Sequence, residues 1–463
     1  MKENFKVFLK KAAEFFFYLL VFLTPILTPS ALIRFGRWFF RWQYGAVYLV
    51  IIGLCLIFLF LKIVAGSKRE TIFKSRPLFF IFLGAFVVVN FLSLGRFYWS
   101  LEGVGSWRNL TNPQTAWGYS TTRLVFLVAG LFLVILAVSF LDEIKKLLVA
   151  LKVYVFSADL ACLFGFYIML RYLFKIGYNP VQKHVARSWL VPRLLGTALE
   201  PQTFANFLLS VLFLTLAVYF IEKEFWRKSF YFLSFCLQLA ALIFTFSMGG
   251  MVAAAAGIFL FLLLSRRPEK KNWLKPAAAA LPIIFLLLVF LVFNPSARKV
   301  LFSLVGKIRP AENFLTWRVR MVRRDPAAYT AIDRYISRKV AWKMFQTRPI
   351  LGWGIGSFGY RYKDFKKPEK FLRHYRLARP HNQYLEILAE SGLVGFIFFS
   401  GWLVFLGRFL WRALSKATGA ARPVLIGSAA ALVAFLVHGL AFGFSTHLYF
   451  WLMVGFILVA SNI

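Results

Sequence analysis

The sequence predicts an all-α, polytopic membrane protein of about twelve transmembrane helices, and two observations carry that prediction. Of its 463 residues, 60% are hydrophobic and 19% aromatic, while only 16% are charged. Soluble globular domains carry roughly a quarter charged residues. Apolar runs also recur along the whole chain, each close to the roughly 20 residues needed to cross a hydrocarbon core of about 30 Å.

The first run, Phe15 to Thr28, follows Lys2, Lys6, Lys10 and Lys11. Its end, LTPILTPS, lacks a small-x-small cleavage pattern, and further apolar segments follow at once. It is therefore expected to be a retained span and not a cleaved signal peptide. Runs bounded by charge place segments at 12–29, 44–66, 77–95, 124–141, 148–173, 202–221, 229–247, 250–265, 276–293, 386–407, 424–442 and 447–461. The seventh and eighth come from one stretch, Phe230 to Ser265, which is too long for a single span. It is cut at Gly249 and Gly250, its only local breaker.

Short basic loops (Lys68 and Arg69, Lys145 and Lys146, Lys223 and Arg227, Arg266 and Arg267, Arg408 and Arg412) fall on one side of this arrangement. The positive-inside rule makes that side cytoplasmic and puts both termini there. Residues 1–293 then hold nine spans, 294–385 form a large outer loop, and 386–463 hold three more. Loops 96–123 and 174–201 are expected on the outer side as well.

Several chemistries are excluded. Cys55, Cys162 and Cys236 each lie inside an apolar run, which suggests neither a disulfide framework nor a metal cluster. There is no P-loop, no strand-borne GxGxxG, no HExxH and no GxSxG, so nothing points to an ATP-driven pump, a metalloprotease or an acyl hydrolase. Asp159 is the one acid well inside a span. Such a carboxylate is a functional suspect, and a structural pairing with Lys152 or a protonated acid is the alternative.

The outer loop is strongly cationic, with Arg334, Arg338, Lys339, Lys343 and Arg348 among its bases. A dense positive surface gathers anions, and arginine forks hold phosphate in a bidentate way that lysine cannot. The same charge could instead seat the loop on anionic headgroups, in a chain that is +38 overall. Nucleic acid is not expected as a partner, since no binding module is present.

Two stretches single out individual residues. Arg338-Lys-Val-Ala-Trp342 is followed by Arg348-Pro-Ile-Leu-Gly-Trp-Gly-Ile-Gly-Ser-Phe358, and His381-Asn-Gln-Tyr-Leu-Glu-Ile-Leu-Ala-Glu390-Ser-Gly392-Leu-Val-Gly395 follows that. The second reads as a helix starting near Pro380 and His381, with Gly392 and Gly395 on one face for close packing. Arg338 is expected to open an amphipathic stretch through Val340, Trp342, Met344 and Phe345. Gly352, Gly354 and Gly356 are weak evidence for a nucleotide site; they read as a turn, with close approach to a ligand left open.

In order and spacing these stretches resemble the O-antigen ligase and polymerase superfamily of bacterial envelope glycosyltransferases. The resemblance implies a GT-C-like architecture in the bacterial inner membrane with the large loop periplasmic. It also implies a metal-independent, inverting glycosyltransferase without a cofactor, whose partners are a polyprenyl diphosphate-linked glycan, a lipid or glycolipid acceptor and membrane lipids. His381 would be the catalytic general base and Arg338 would bind the donor diphosphate, with Asn382, Glu390 and Trp342 supporting.

Where the family commonly has an arginine, in a Ser-Arg-Gly-like step, this chain has Ser247-Met248-Gly249. Arg193, which begins Arg193-Leu-Leu-Gly196, is the first candidate substitute. Transfer to lipid A-core, as in a ligase, is the leading reading and polysaccharide polymerisation the alternative. A twelve-helix transporter comes third, because no clear internal repeat is visible.

Overall fold

The structure, a computed structural model, describes residues 2–25, 53, 57, 77–99, 116–174, 193–198, 200–265, 326–365 and 379–462. Among these residues every regular element is a helix. They are α1 (Lys2–Leu23), α2 (Pro77–Trp99), α3 (Ala116–Phe140), α4 (Ile144–Leu173), α5 (Pro201–Ile221), α6 (Phe225–Phe244), α7 (Met248–Ser265), α8 (Pro326–Thr347), α9 (Ser357–Phe365), α10 (Gln383–Lys416), α11 (Ala421–His438) and α12 (Leu448–Ala460). Eight are long and apolar enough to cross a membrane, and Glu14–Leu23 and Leu448–Ala460 form shorter apolar helices. The predicted segments 276–293 and, apart from residues 53 and 57, 44–66 lie outside the described residues.

Three boundaries differ from expectation in ways that bear on function. Helix α3 begins at Ala116, not near 124, so Arg123 is inside a span and not ahead of one. Helix α8 begins at Pro326, which puts Arg338 in mid-helix instead of at the opening of an amphipathic stretch. Helix α10 is 34 residues long and overruns the predicted 386–407 at both ends.

The centre of the bundle is built by α5, α11 and α12. All thirteen residues of α12 are buried. Trp451 of α12 stacks on Trp402 of α10 at 5.4 Å between ring centroids, and α10 in turn packs along α2 through Phe79 with Trp402 and Phe86 with Phe399. In lipid the drive for these contacts is close packing more than exclusion of water.

The polar groups around Asp159 pair with one another inside the bundle. Asp159 accepts from Gln238 Nε2 at 2.8 Å, and Gln238 Oε1 accepts from Thr215. Lys152 pairs with Glu222 and not with Asp159. Of the two expected alternatives for Asp159, ion pairing with Lys152 is thus excluded.

Helix α10 carries a break that its sequence hides. Gly392 has φ 65° and ψ −164°, a backbone state open essentially to glycine alone. The segment 349–354 docks into the gap: Trp353 N donates to Ala389 O (3.0 Å), Gly354 N to Glu390 O (2.7 Å), Leu393 N to Pro349 O (2.7 Å) and Val394 N to Ile350 O (3.1 Å). Backbone groups freed by the break are thereby paired, as a helix interior in lipid demands. Gly352 is required by contact: a Cβ there would lie 2.4 Å from the Glu390 carbonyl carbon. The glycines of 352–356 thus form a backbone graft, and Gly392 serves the break and not a helix-packing face.

Candidate active site

The site is built around the N-terminus of α10. Asn382 is its N-cap, with its side-chain oxygen accepting from Tyr384 N and Leu385 N, each at 3.0 Å; such caps contribute about 1 kcal/mol. Gln383 stitches the same turn to the α11–α12 connection. Its backbone N–H donates to Gly439 O (2.8 Å), and its side-chain Oε1 accepts from Phe444 N (2.6 Å) and Ser445 N (2.9 Å).

His381 stands immediately before this cap. Among the described residues two non-glycines have left-handed backbone, His381 (φ 49°) and Phe246 (φ 50°), and both belong to this site. Such strain persists only where its surroundings enforce it. The Nδ1 atom of His381 is buried without a hydrogen-bond partner. Burial, together with the nearby guanidinium groups of Arg334, Arg379 and Arg338, pushes its pKa down to about 3. The imidazole is therefore neutral at physiological pH, with a lone pair available.

Arg338 reaches this point from α8. Its Nη2 donates to Leu440 O at 2.7 Å and to His381 O at 3.4 Å, while its Nε is buried without a partner. Burial lowers the pKa of the guanidinium from its usual range.

Arg193 holds the turn between α6 and α7. Its Nε donates to Thr245 O (2.8 Å) and its Nη2 to Phe246 O (3.3 Å). Burial, then the like charge of Arg334, pushes its pKa down to about 10. The candidate substitute therefore lies on the same turn that carries Met248, within electrostatic reach of the residues around His381.

Of the sequence-predicted residues, the structure gathers His381, Asn382, Arg338 and Arg193. Glu390 lies deeper, in an ion triad: Arg123 Nη1 is 2.7 Å from Glu386 Oε1 and 3.2 Å from Glu390 Oε1. Trp342 is not gathered. It is 47% exposed and packs on Phe345, while Val340 and Met344 turn to the core beside Ala389.

Sequence reasoning passed over Arg334, Arg379, Arg123 and Glu386. The first two were within reach, since Arg334 lies one helical turn before Arg338 and Arg379 two residues before His381. Two further histidines adjoin the site, His438 buried and His447 half-buried. His438 Nδ1 lies 2.8 Å from Asn206 Oδ1. His447 is pushed down to about pKa 3 by burial and by Arg379 and Arg123.

Residues 233–400 match the family described as O-antigen ligase. The chain carries a domain of the O-antigen ligase and polymerase superfamily. The matched stretch runs from α6 into α10, so this ligase-type domain contains Arg338, His381 and Glu390, whereas Arg123 and Arg193 come from outside it. No curated protein matches the chain. The chain thus combines an O-antigen ligase-type domain with eight helices long and apolar enough to cross a membrane, and that family implies lipid-linked glycans as the substrate class.

Proposed function

We propose that the chain is an O-antigen ligase-like glycosyltransferase that moves a glycan from a polyprenyl diphosphate to an acceptor hydroxyl of lipid A-core at the outer leaflet of the bacterial inner membrane. The observation that carries this reading is a neutral histidine with an unpartnered, buried Nδ1, held in strained backbone among Arg334, Arg338 and Arg379.

In the reaction the acceptor oxygen attacks the anomeric carbon from the face opposite the leaving group, so the configuration inverts. The bond from that carbon to the diphosphate oxygen breaks, and the electron pair leaves with the diphosphate. The acceptor proton passes to His381. Arg338, with Arg193 and Arg334 behind it, compensates the charge that grows on the departing diphosphate, so the step requires no metal ion or cofactor.

A base of pKa about 3 would be weak. Burial depresses it most and the arginines add to that; a diphosphate beside those arginines offsets their share and raises the imidazole pKa. Donor binding therefore strengthens the base.

The geometry around His381 serves ligation and polymerisation alike, and the acceptor separates them. Reconstitution with a polyprenyl diphosphate glycan, without ATP or divalent metal, tests the reading. Addition of one glycan to lipid A-core supports ligation, a ladder of lengthened carrier-linked glycans supports polymerisation, and vesicle crossing without a new glycosidic bond would point to transport.

A further inference from the structure

The first two turns of α10 carry a buried polar face that the reaction just described does not use. Gln383, Glu386 and Glu390 follow one another at helical spacing and are 1%, 5% and 3% exposed. Together they fix α10 to the α11–α12 connection, to α3 and to α9. Gln383 grips the amides of Phe444 and Ser445. Glu386 holds Arg123 of α3 and crowds Gly443, where an added Cβ would lie 3.0 Å from its Oε2. Glu390 holds Arg123 as well and accepts from Phe358 N, at the start of α9, at 3.3 Å.

A buried ion group of this kind is expensive in lipid, and its members come from parts of the chain more than 260 residues apart. Its two carboxylates stand on the first two turns of the helix that His381 immediately precedes. Glu386 is also within electrostatic reach of Arg379, one of the three cations around that imidazole.

We infer that Arg123 is a positioning residue. Acting through Glu386 and Glu390, it fixes the register and tilt of the α10 N-terminus and so sets where His381 stands. One nitrogen, Nη1, donates to both carboxylates, at a reach and direction set by the rigid guanidinium plane that lysine's flexible stem does not reproduce. Misplacement of a reacting group by about 1 Å costs on the order of a hundredfold in rate. The inference rests on His381 as the base only for its effect on transfer.

The test therefore reads His381 directly. Full-length wild type, Arg123→Lys and Glu386→Gln are reconstituted, the imidazole is acylated with diethyl pyrocarbonate, and the rate at His381 is followed by peptide mass spectrometry alongside transfer kinetics. Glu386→Gln leaves Arg123 paired with Glu390 and keeps the side-chain shape, so it remains folded even if Arg123→Lys does not. The expected result is a changed acylation rate at His381 in each folded variant, with kcat about ten- to a hundredfold lower and KM for the donor within about twofold. Wild-type acylation at His381 in the folded variants overturns the inference, whatever becomes of transfer. Changed acylation with unimpaired transfer upholds the positioning and removes His381 from the base role instead.

Discussion

The Arg338 guanidinium donates to the backbone carbonyl of His381 at 3.4 Å and continues to that of Leu440 at 2.7 Å. One side chain from α8 thus braces the residue that precedes α10 against the connection between α11 and α12. The strained φ of His381 is held from outside its own helix, and the brace is itself one of the cations that keep the imidazole neutral.

Arg338→Ala should lower kcat by about a hundred- to a thousandfold, the effect of removing one charge-stabilising donor. Arg338→Lys should recover only part of that, because a point charge does not bridge two carbonyls and a phosphate as a fork does. Transfer assays on equal amounts of folded protein check this, and full activity in the lysine variant would show that charge alone suffices.

Gly392→Ala should destabilise the protein by about 1–3 kcal/mol from backbone strain alone. The contact adds to that, since a Cβ at Gly392 would lie 2.4 Å from Ile350 O. A lower melting temperature in detergent is the expected reading; an unchanged one would contradict the graft of 349–354 into α10.

Stability should fall as pH drops below about 6.5. Both His381 and His447 have folded-state pKa values pushed down to about 3, against about 6.5 when unfolded. Between these values the unfolded chain binds protons that the native state refuses, so protonation favours unfolding throughout the window from about 6.5 to about 3. Unfolding scans from pH 7.5 to 5 check this, and His447→Gln should flatten the slope.

Transfer should be unaffected by a chelator. Arginine side chains supply the charge compensation in this scheme, so loss of activity in EDTA that magnesium restores would require a different leaving-group step.

The described spans were legible because crossing lipid forces long apolar runs that charges interrupt, and two short stretches singled out Arg338 and His381 without saying how the two meet. The break at Gly392 was not, since LAESGLVGF reads as uninterrupted helix and the partner of its freed amides comes from some forty residues earlier. Arg123 was hidden for a related reason. Set beside a run beginning at Leu124, it looks like a flanking interfacial cation, and only the fold brings Glu386 and Glu390 to it. Arg334 and Arg379 were readable by spacing, but a loop crowded with bases gave no ground for choosing them.

The most direct test is transfer by His381→Ala, purified and reconstituted with a polyprenyl diphosphate glycan and a lipid A-core acceptor, beside wild type. A variant that inserts and melts as wild type does, binds donor, and transfers no glycan is the result this account predicts. Transfer at the wild-type rate would contradict it.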